Sequence, residues 1–200
     1  MMQPTRLIIV AVGGQGNLLA SHVLGEAALI AGVPVRMSEI HGMAQRGGVV
    51  ESAIVFGEAK SSIISDGEAD VLVGFEPSET LRALNKCNPA TIVITNLAPL
   101  SPFTVTIGRG VYPDLKQLQA LIRAKTAALI AFNATSLART AGNVMAVNIV
   151  LLGALIQTGR LPLSAENVKT AIETATKPAF IATNLKAFDL GFGAAAKTKS

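Results

Sequence analysis

An α/β fold with a mostly parallel sheet, helices on both of its faces and a helical C-terminal part is what this sequence predicts. Three observations lead there. Short β-branched runs alternate with helical stretches through the first half of the chain, the pattern of strands joined by crossover helices. The first run, Leu7-Ile8-Ile9-Val10, passes directly into a glycine turn and then a helix-like stretch. From about residue 114 the chain is mainly helical, with one further strand-like segment.

The elements follow in order. Residues 6–12 read as a strand and 16–31 as a helix. "VPVRMSE" (33–39) and "VVESAIVFG" (49–57) are the next strands, separated by the glycine-rich loop "HGMAQRGG". "ADVLVGF" (69–75) is a strand, followed by a helix opening near Pro77 and Ser78, where proline suits a first turn. "ATIVITN" (90–96) is another strand, and the proline- and glycine-rich segment after it has room for a short edge strand. "AALIAFN" is the last strand. The helix after Gly142 sets Val144, Val147, Leu151 and Leu155 on one stripe, with Ile149, Val150 and Leu152 around the rest, so it is expected to be buried. Ser164 is placed to cap the next helix, with Glu166 in its first turn, and Lys177-Pro178 separates that helix from a final one. The sum is a three-layer Rossmann-like fold, and residues 1–200 read as one domain without repeats or linkers.

Half of the residues are hydrophobic and 15% are charged, with a mean hydropathy of +0.48. That excess is high for a chain that must coat itself with polar groups, and part of the apolar surface is expected to meet another protein. The net charge of +4 comes partly from the "AAKTKS" tail, without basic runs or interleaved aromatics, so nucleic acid is not an expected partner. The longest apolar segment (144–156) contains Asn148 and Gly153 and falls short of the ~20 residues that span a bilayer, so no membrane is expected either. Cys87 is the single cysteine, which excludes an internal disulfide and a self-contained iron–sulfur cluster and fits the cytoplasm. With no histidine paired to it in sequence reach, it reads as an inert thiol.

Two loops carry the chemistry. In "AVGGQGNLLA", Gly13, Gly14, Gln15 and Gly16 lie between strand and helix, where backbone N–H groups and the helix dipole suit an anion. A dinucleotide fingerprint needs a first glycine where Ala11 stands, so only Gly13 and Gly16 fit, with Glu39 as the acidic ribose ligand by position. A close-packed turn with no ligand is the competing reading. The second loop gathers Glu39, His41, Gln45 and Arg46, then Gly47 and Gly48, between two strands. Histidine moves protons near neutral pH and arginine grips carboxylate or phosphate, so His41 and Arg46 are the candidate catalytic residues. A satisfied histidine and a surface ion pair are the alternatives. Glu68, Asp70 and Glu76 read as solvating or capping groups, and no metal ligand set stands out. Asn143 and Asn148 either reach a ligand or cap and cross-link the buried helix.

Taken together and in order, "VGGQGNLLASHVLGEAALIAG", "SEIHGMAQRGGVVES", "GEADVLVGFEPSETLRAL" and "GNVMAVNIVLLGAL" resemble the β subunits of indolepyruvate:ferredoxin oxidoreductases, within the γ-type domains of thiamine-dependent 2-oxoacid:acceptor oxidoreductases. The resemblance covers nearly the whole chain. The family commonly begins the first loop with glycine, where Ala11 stands here. The resemblance implies a subunit inactive without a large partner. Thiamine diphosphate, Mg2+ and [4Fe-4S] clusters would sit in that partner, coenzyme A would be a co-substrate, and ferredoxin would take the electrons. Gly13, Gly14, Gln15, Gly16, Gln45, Gly47 and Gly48 become candidate contacts for a phosphate or coenzyme A. A free-standing NAD(P)-binding protein is the alternative.

Overall fold

The computed structural model describes residues 3–41, 48–100, 105 and 107–198. Six strands form one sheet: β1 (Thr5–Val12), β2 (Val35–His41), β3 (Val49–Phe56), β4 (Ala69–Gly74), β5 (Cys87–Asn96) and β6 (Ala128–Phe132), in the order β2-β3-β1-β4-β5-β6. The pairs β1–β4, β4–β5 and β5–β6 are parallel, whereas β3 runs antiparallel to both β1 and β2. Chain length explains the exception: only residues 42–48 join β2 to β3, and a parallel return needs a dozen residues or more. The sheet is mostly parallel, as the sequence predicts. Among the described residues the segment from Leu97 to Pro113 contains no strand, and β6 forms that edge of the sheet.

Strand pleating sends alternate side chains to opposite faces, which divides the core in two. Leu7, Ile9 and Ala11 of β1 meet helices α1 (Asn17–Ile30), α4 (Ala134–Ala141), α5 (Val147–Gln157), α6 (Ala165–Ala175) and α7 (Pro178–Thr198). Ile8 and Val10 face a thinner layer made by α3 (Leu115–Lys125) and the turn that follows α2 (Pro77–Arg82). The three layers are therefore unequal, with most of the helical mass on one side.

That imbalance follows from α5. Every residue from Val147 to Ile156 is buried, because a helix without a polar face gains by being covered all round. It packs along α7 and touches α1 and β5. Two glycines let α5 and α7 cross at backbone contact. A Cβ at Gly191 would lie 1.8 Å from the Val150 carbonyl oxygen, and one at Gly153 would lie 2.0 Å from that of Phe188. Ser164 caps α6 in a full capping box with Asn167, satisfying orphan N–H groups at the helix start.

Candidate functional site

Strand register brings the two glycine-rich loops together. Val12 at the end of β1 pairs with Val49, His41 at the end of β2 pairs with Val50, and the Gly13 amide donates to the Gly48 carbonyl at 2.8 Å. The β1–α1 turn and the β2–β3 hairpin therefore meet at the carboxyl edge of β1. Gln45, Arg46 and Gly47 lie outside the described residues, and for His41 the backbone alone is described, as the last residue of β2. In the first loop, Ala11 is a buried strand residue paired with Val50, so the strand runs on through the place of the missing glycine and the turn starts at Gly13.

Within that turn the Gln15 side chain folds back over the strand end. Its Oε1 accepts from the Val12 amide at 2.8 Å and its Nε2 donates to the Phe75 carbonyl at 3.3 Å. Phe75 follows β4, and its own amide donates to Val10. Gln15 thus bridges the gap between β1 and β4. That gap is the switch point of the sheet, since α1 crosses the heavily helical face and α2 the other, and open α/β sheets bind ligands at such points. Gly16 (φ 81°) caps α1, without a side-chain cap and without an acidic residue in the first turn. Its carbonyl accepts from Asn148 Nδ2 at 3.1 Å, and a Cβ there would come within 2.6 Å of that same nitrogen. Gly14 (φ 96°) faces open space. What the turn offers a ligand is the positive end of α1 beside Gly14.

Beneath the hairpin lies a buried polar chain. Asn17 Nδ2 donates to Ser52 Oγ at 2.9 Å, and Ser52 Oγ donates to Glu39 Oε1 at 3.5 Å. Asn17 Oδ1 and Ser21 Oγ are buried with no hydrogen-bond partner among the described residues. Glu39 thus stands against α1, directly below the ends of the second loop.

The acidic residues after β4 are structural. Glu76 caps α2 by accepting from the Glu79 amide at 3.0 Å. The same buried carboxylate takes the Leu100 amide at 3.3 Å and the Tyr112 hydroxyl, pinning the following segment. Burial, reinforced by Glu76, pushes the Tyr112 hydroxyl well above its ordinary range. Burial raises Glu79 as well, with Arg82, 3.5 Å away, opposing the shift. Asp70 accepts from the Arg6 amide and Glu68 from the Ser65 amide. Cys87 is buried, and burial pushes its thiol up to about 11. Among the described residues no group of three His, Cys, Asp or Glu side chains is arranged to hold a metal.

A cavity of about 380 Å³ opens beside α1, at the start of α5. Three asparagines line it. Asn143 caps the Met145 amide, Asn148 is tied to Gly16 and to the Ile149 amide, and Asn184 of α7 is 6% exposed with no side-chain hydrogen bond among the described residues. Capping and cross-linking is thus what Asn143 and Asn148 do within the chain. Asn184 went unnoticed in the sequence; its only signal is an amide on a helix face otherwise occupied by Ala187, Phe188 and Gly191.

A family profile described as pyruvate ferredoxin/flavodoxin oxidoreductase matches residues 6–194. The chain belongs to the pyruvate ferredoxin/flavodoxin oxidoreductase family. This family member is 43% identical over 196 residues to the indolepyruvate oxidoreductase subunit IorB of Pyrococcus horikoshii, with 97% of both chains covered. Against the subunit of the same name from Thermococcus kodakarensis it is 41% identical, again over 97% of both chains. Its fold is that of the gamma subunit of a keto/oxoacid ferredoxin oxidoreductase from Geobacter sulfurreducens (TM-score 0.70, 24% identity, 96% and 99% of the two chains). A 2-oxoglutarate:ferredoxin oxidoreductase from Magnetococcus marinus carries the same fold within a longer chain (TM-score 0.75, 19% identity, 98% of this chain and 32% of that one).

Proposed function

We propose that this chain, a single γ-type domain over residues 1–200, is the smaller subunit of an indolepyruvate (arylpyruvate):ferredoxin oxidoreductase. The complex would convert a 2-oxo acid to its acyl-CoA by oxidative decarboxylation and pass the electrons to ferredoxin. The observation that carries this reading is end-to-end relatedness, 43% identity over 97% of both chains, to a subunit of that name. A [4Fe-4S] cluster usually takes four thiolates, and this sequence has one cysteine, the buried Cys87; thiamine diphosphate with Mg2+ is assigned with the clusters to another chain. Those groups belong in a large partner subunit.

The role left to this chain is to complete and enclose a site at the carboxyl edge of β1. Coenzyme A and 2-oxo acids are anions, Arg46 is the one permanent cation of the second loop, and Gly47-Gly48 allows close backbone approach. Arg46 and His41 are assigned to an anionic group of substrate, coenzyme A or a partner carboxylate. Gly13, Gly14 and Gly16, with Gln45, Gly47 and Gly48, are assigned to phosphate or coenzyme A contacts, and Gln15 supports them by holding the turn. The Gln15 bridge occupies the gap a dinucleotide would use, which favours the subunit reading over a free-standing NAD(P)-binding protein. No described helix is long and apolar enough to cross a membrane; the complex is assigned to the cytoplasm.

Reconstitution tests the proposal. The purified chain is expected to be colourless and inactive with indolepyruvate, coenzyme A and a dye acceptor, and to restore turnover when mixed with a thiamine-bearing large subunit. Turnover by the chain alone refutes it. In the complex, Arg46→Ala is expected to lower kcat/KM for one anionic substrate by roughly 10- to 150-fold, the loss of a desolvated charge-assisted contact. Unchanged kinetics in a stable, assembled variant would remove Arg46 from the site.

A further inference from the structure

We infer that the cavity between α1, α5 and α7 is a ligand site held by this chain alone, and that it takes a small aromatic carboxylate. The inference goes beyond the subunit reading, in which the chain acts only inside the complex.

Three observations carry it. The first is Asn184: an amide 6% exposed, lining the cavity, with no side-chain partner among the described residues. Asn143 and Asn148 have committed their side chains to backbone groups, so the asymmetry is specific to Asn184. An uncommitted amide that lines a cavity offers a donor and an acceptor to whatever enters. The second is electrostatic. No acidic residue lines the cavity, and Lys177 stands at its wall as an exposed side chain with no ion pair among the described residues. A single ammonium at a wall with no carboxylate opposite it favours an anion. The third is shape and lining. Leu19, Met145, Ala146, Ala175 and Phe180 make the walls apolar, with a thioether and an aromatic ring that suit a flat ring face. About 380 Å³ lies within the range of small-molecule sites. An aromatic body, a polar edge for Asn184 and a carboxylate for Lys177 satisfy all three.

The chain has no tryptophan, so an indole probe fluoresces against a dark background. Indole-3-propionate titrated into the purified chain is expected to saturate at one site, and to bind more tightly than 3-methylindole, which lacks the carboxylate. Lys177→Gln is expected to weaken indole-3-propionate by about 2- to 5-fold, the size of a solvated ion pair, and to leave 3-methylindole unchanged. Asn184→Asp is expected to weaken the carboxylate probe by about tenfold or more. Phe180→Ala, at an exposed wall position, is the second variant should Asn184→Asp fail to fold, and is expected to weaken both probes. Absence of saturable binding to the wild-type chain overturns the inference, as does binding indifferent to all three variants. If no probe binds but Lys177→Gln and Phe180→Ala impair assembly with the large subunit, the cavity receives a partner side chain and the ligand assignment is overturned. Turnover of the reconstituted wild-type complex is measured alongside, so that a failure here leaves the subunit reading separately judged.

Discussion

Replacing Gly191 by alanine should destabilise the protein, although the same change improves an ordinary helix. Inside a helix, glycine to alanine gains about 0.5–1 kcal/mol through backbone entropy. At Gly191 the new Cβ would lie 1.8 Å from the Val150 carbonyl oxygen, 2.7 Å from its carbon and 3.0 Å from its Cα. All three are backbone atoms, so no side-chain rotation relieves the clash. Restoring an ordinary 3.4 Å contact requires α5 and α7 to part by roughly 1.6 Å, and α5 is enclosed on every side, so the movement opens voids elsewhere. Overpacking of a tight core costs about 1–3 kcal/mol and more where the backbone must shift, which exceeds the propensity gain. A net loss of about 2 kcal/mol is expected, or a fall in Tm of about 4–8 °C for a chain of this size. The internal control is Gly193→Ala on the same helix, where a Cβ meets nothing within 4 Å: it should stabilise by about 0.5–1 kcal/mol. Urea unfolding followed by far-UV circular dichroism measures both, there being no tryptophan to follow. Equal effects of one sign at the two positions would refute the close-crossing argument.

Three further outcomes are expected. Leu151→Asp places an unpaired charge on a side chain with 0% exposure and should cost several kcal/mol, read as loss of soluble protein or of partner binding; an unchanged Tm and complex affinity would contradict it. Gln15→Ala removes two hydrogen bonds between the ends of β1 and β4 and should lower stability by about 1–2 kcal/mol in a denaturant titration. Cys87 should resist a thiol-specific reagent at neutral pH in the native chain and react once unfolded. Because its folded thiol is raised from 9.0 to about 11, the native state holds that proton more tightly. Stability is then insensitive to Cys87 below about pH 9 and falls as pH rises toward 11, and Cys87→Ala should flatten that decline.

Much of the fold was legible because it rests on local signals. The run from Leu7 to Val10 before a glycine turn, the all-apolar stretch from Val147 to Ile156 and the Ser164 cap each declare their element within a few residues. The short 42–48 connection also carried the antiparallel turn between β2 and β3 in its length. Strand order is different: nothing local says that β3 inserts between β1 and β2, and that insertion is what sets Gly48 against Gly13. The use of Gln15 as a bridge, the commitment of Asn148 to Gly16 and the backbone contacts at Gly153 and Gly191 are likewise pairwise facts between distant residues. Asn184 was hidden for the same reason, since an amide on a helix takes its meaning from the cavity in front of it.

The burial of α5 has a consequence for how the polypeptide is made. Its cover is α7, which leaves the ribosome later, after α6. At ordinary elongation rates, about 5–20 residues per second, a nascent chain therefore displays the α7-facing side of an oily helix for seconds before α7 can close over it. During that interval the segment from Val147 to Ile156 is a natural landing place for a chaperone. Arrest of translation before Pro178 would leave a product whose insolubility comes from what has yet to be added, every earlier residue being correct.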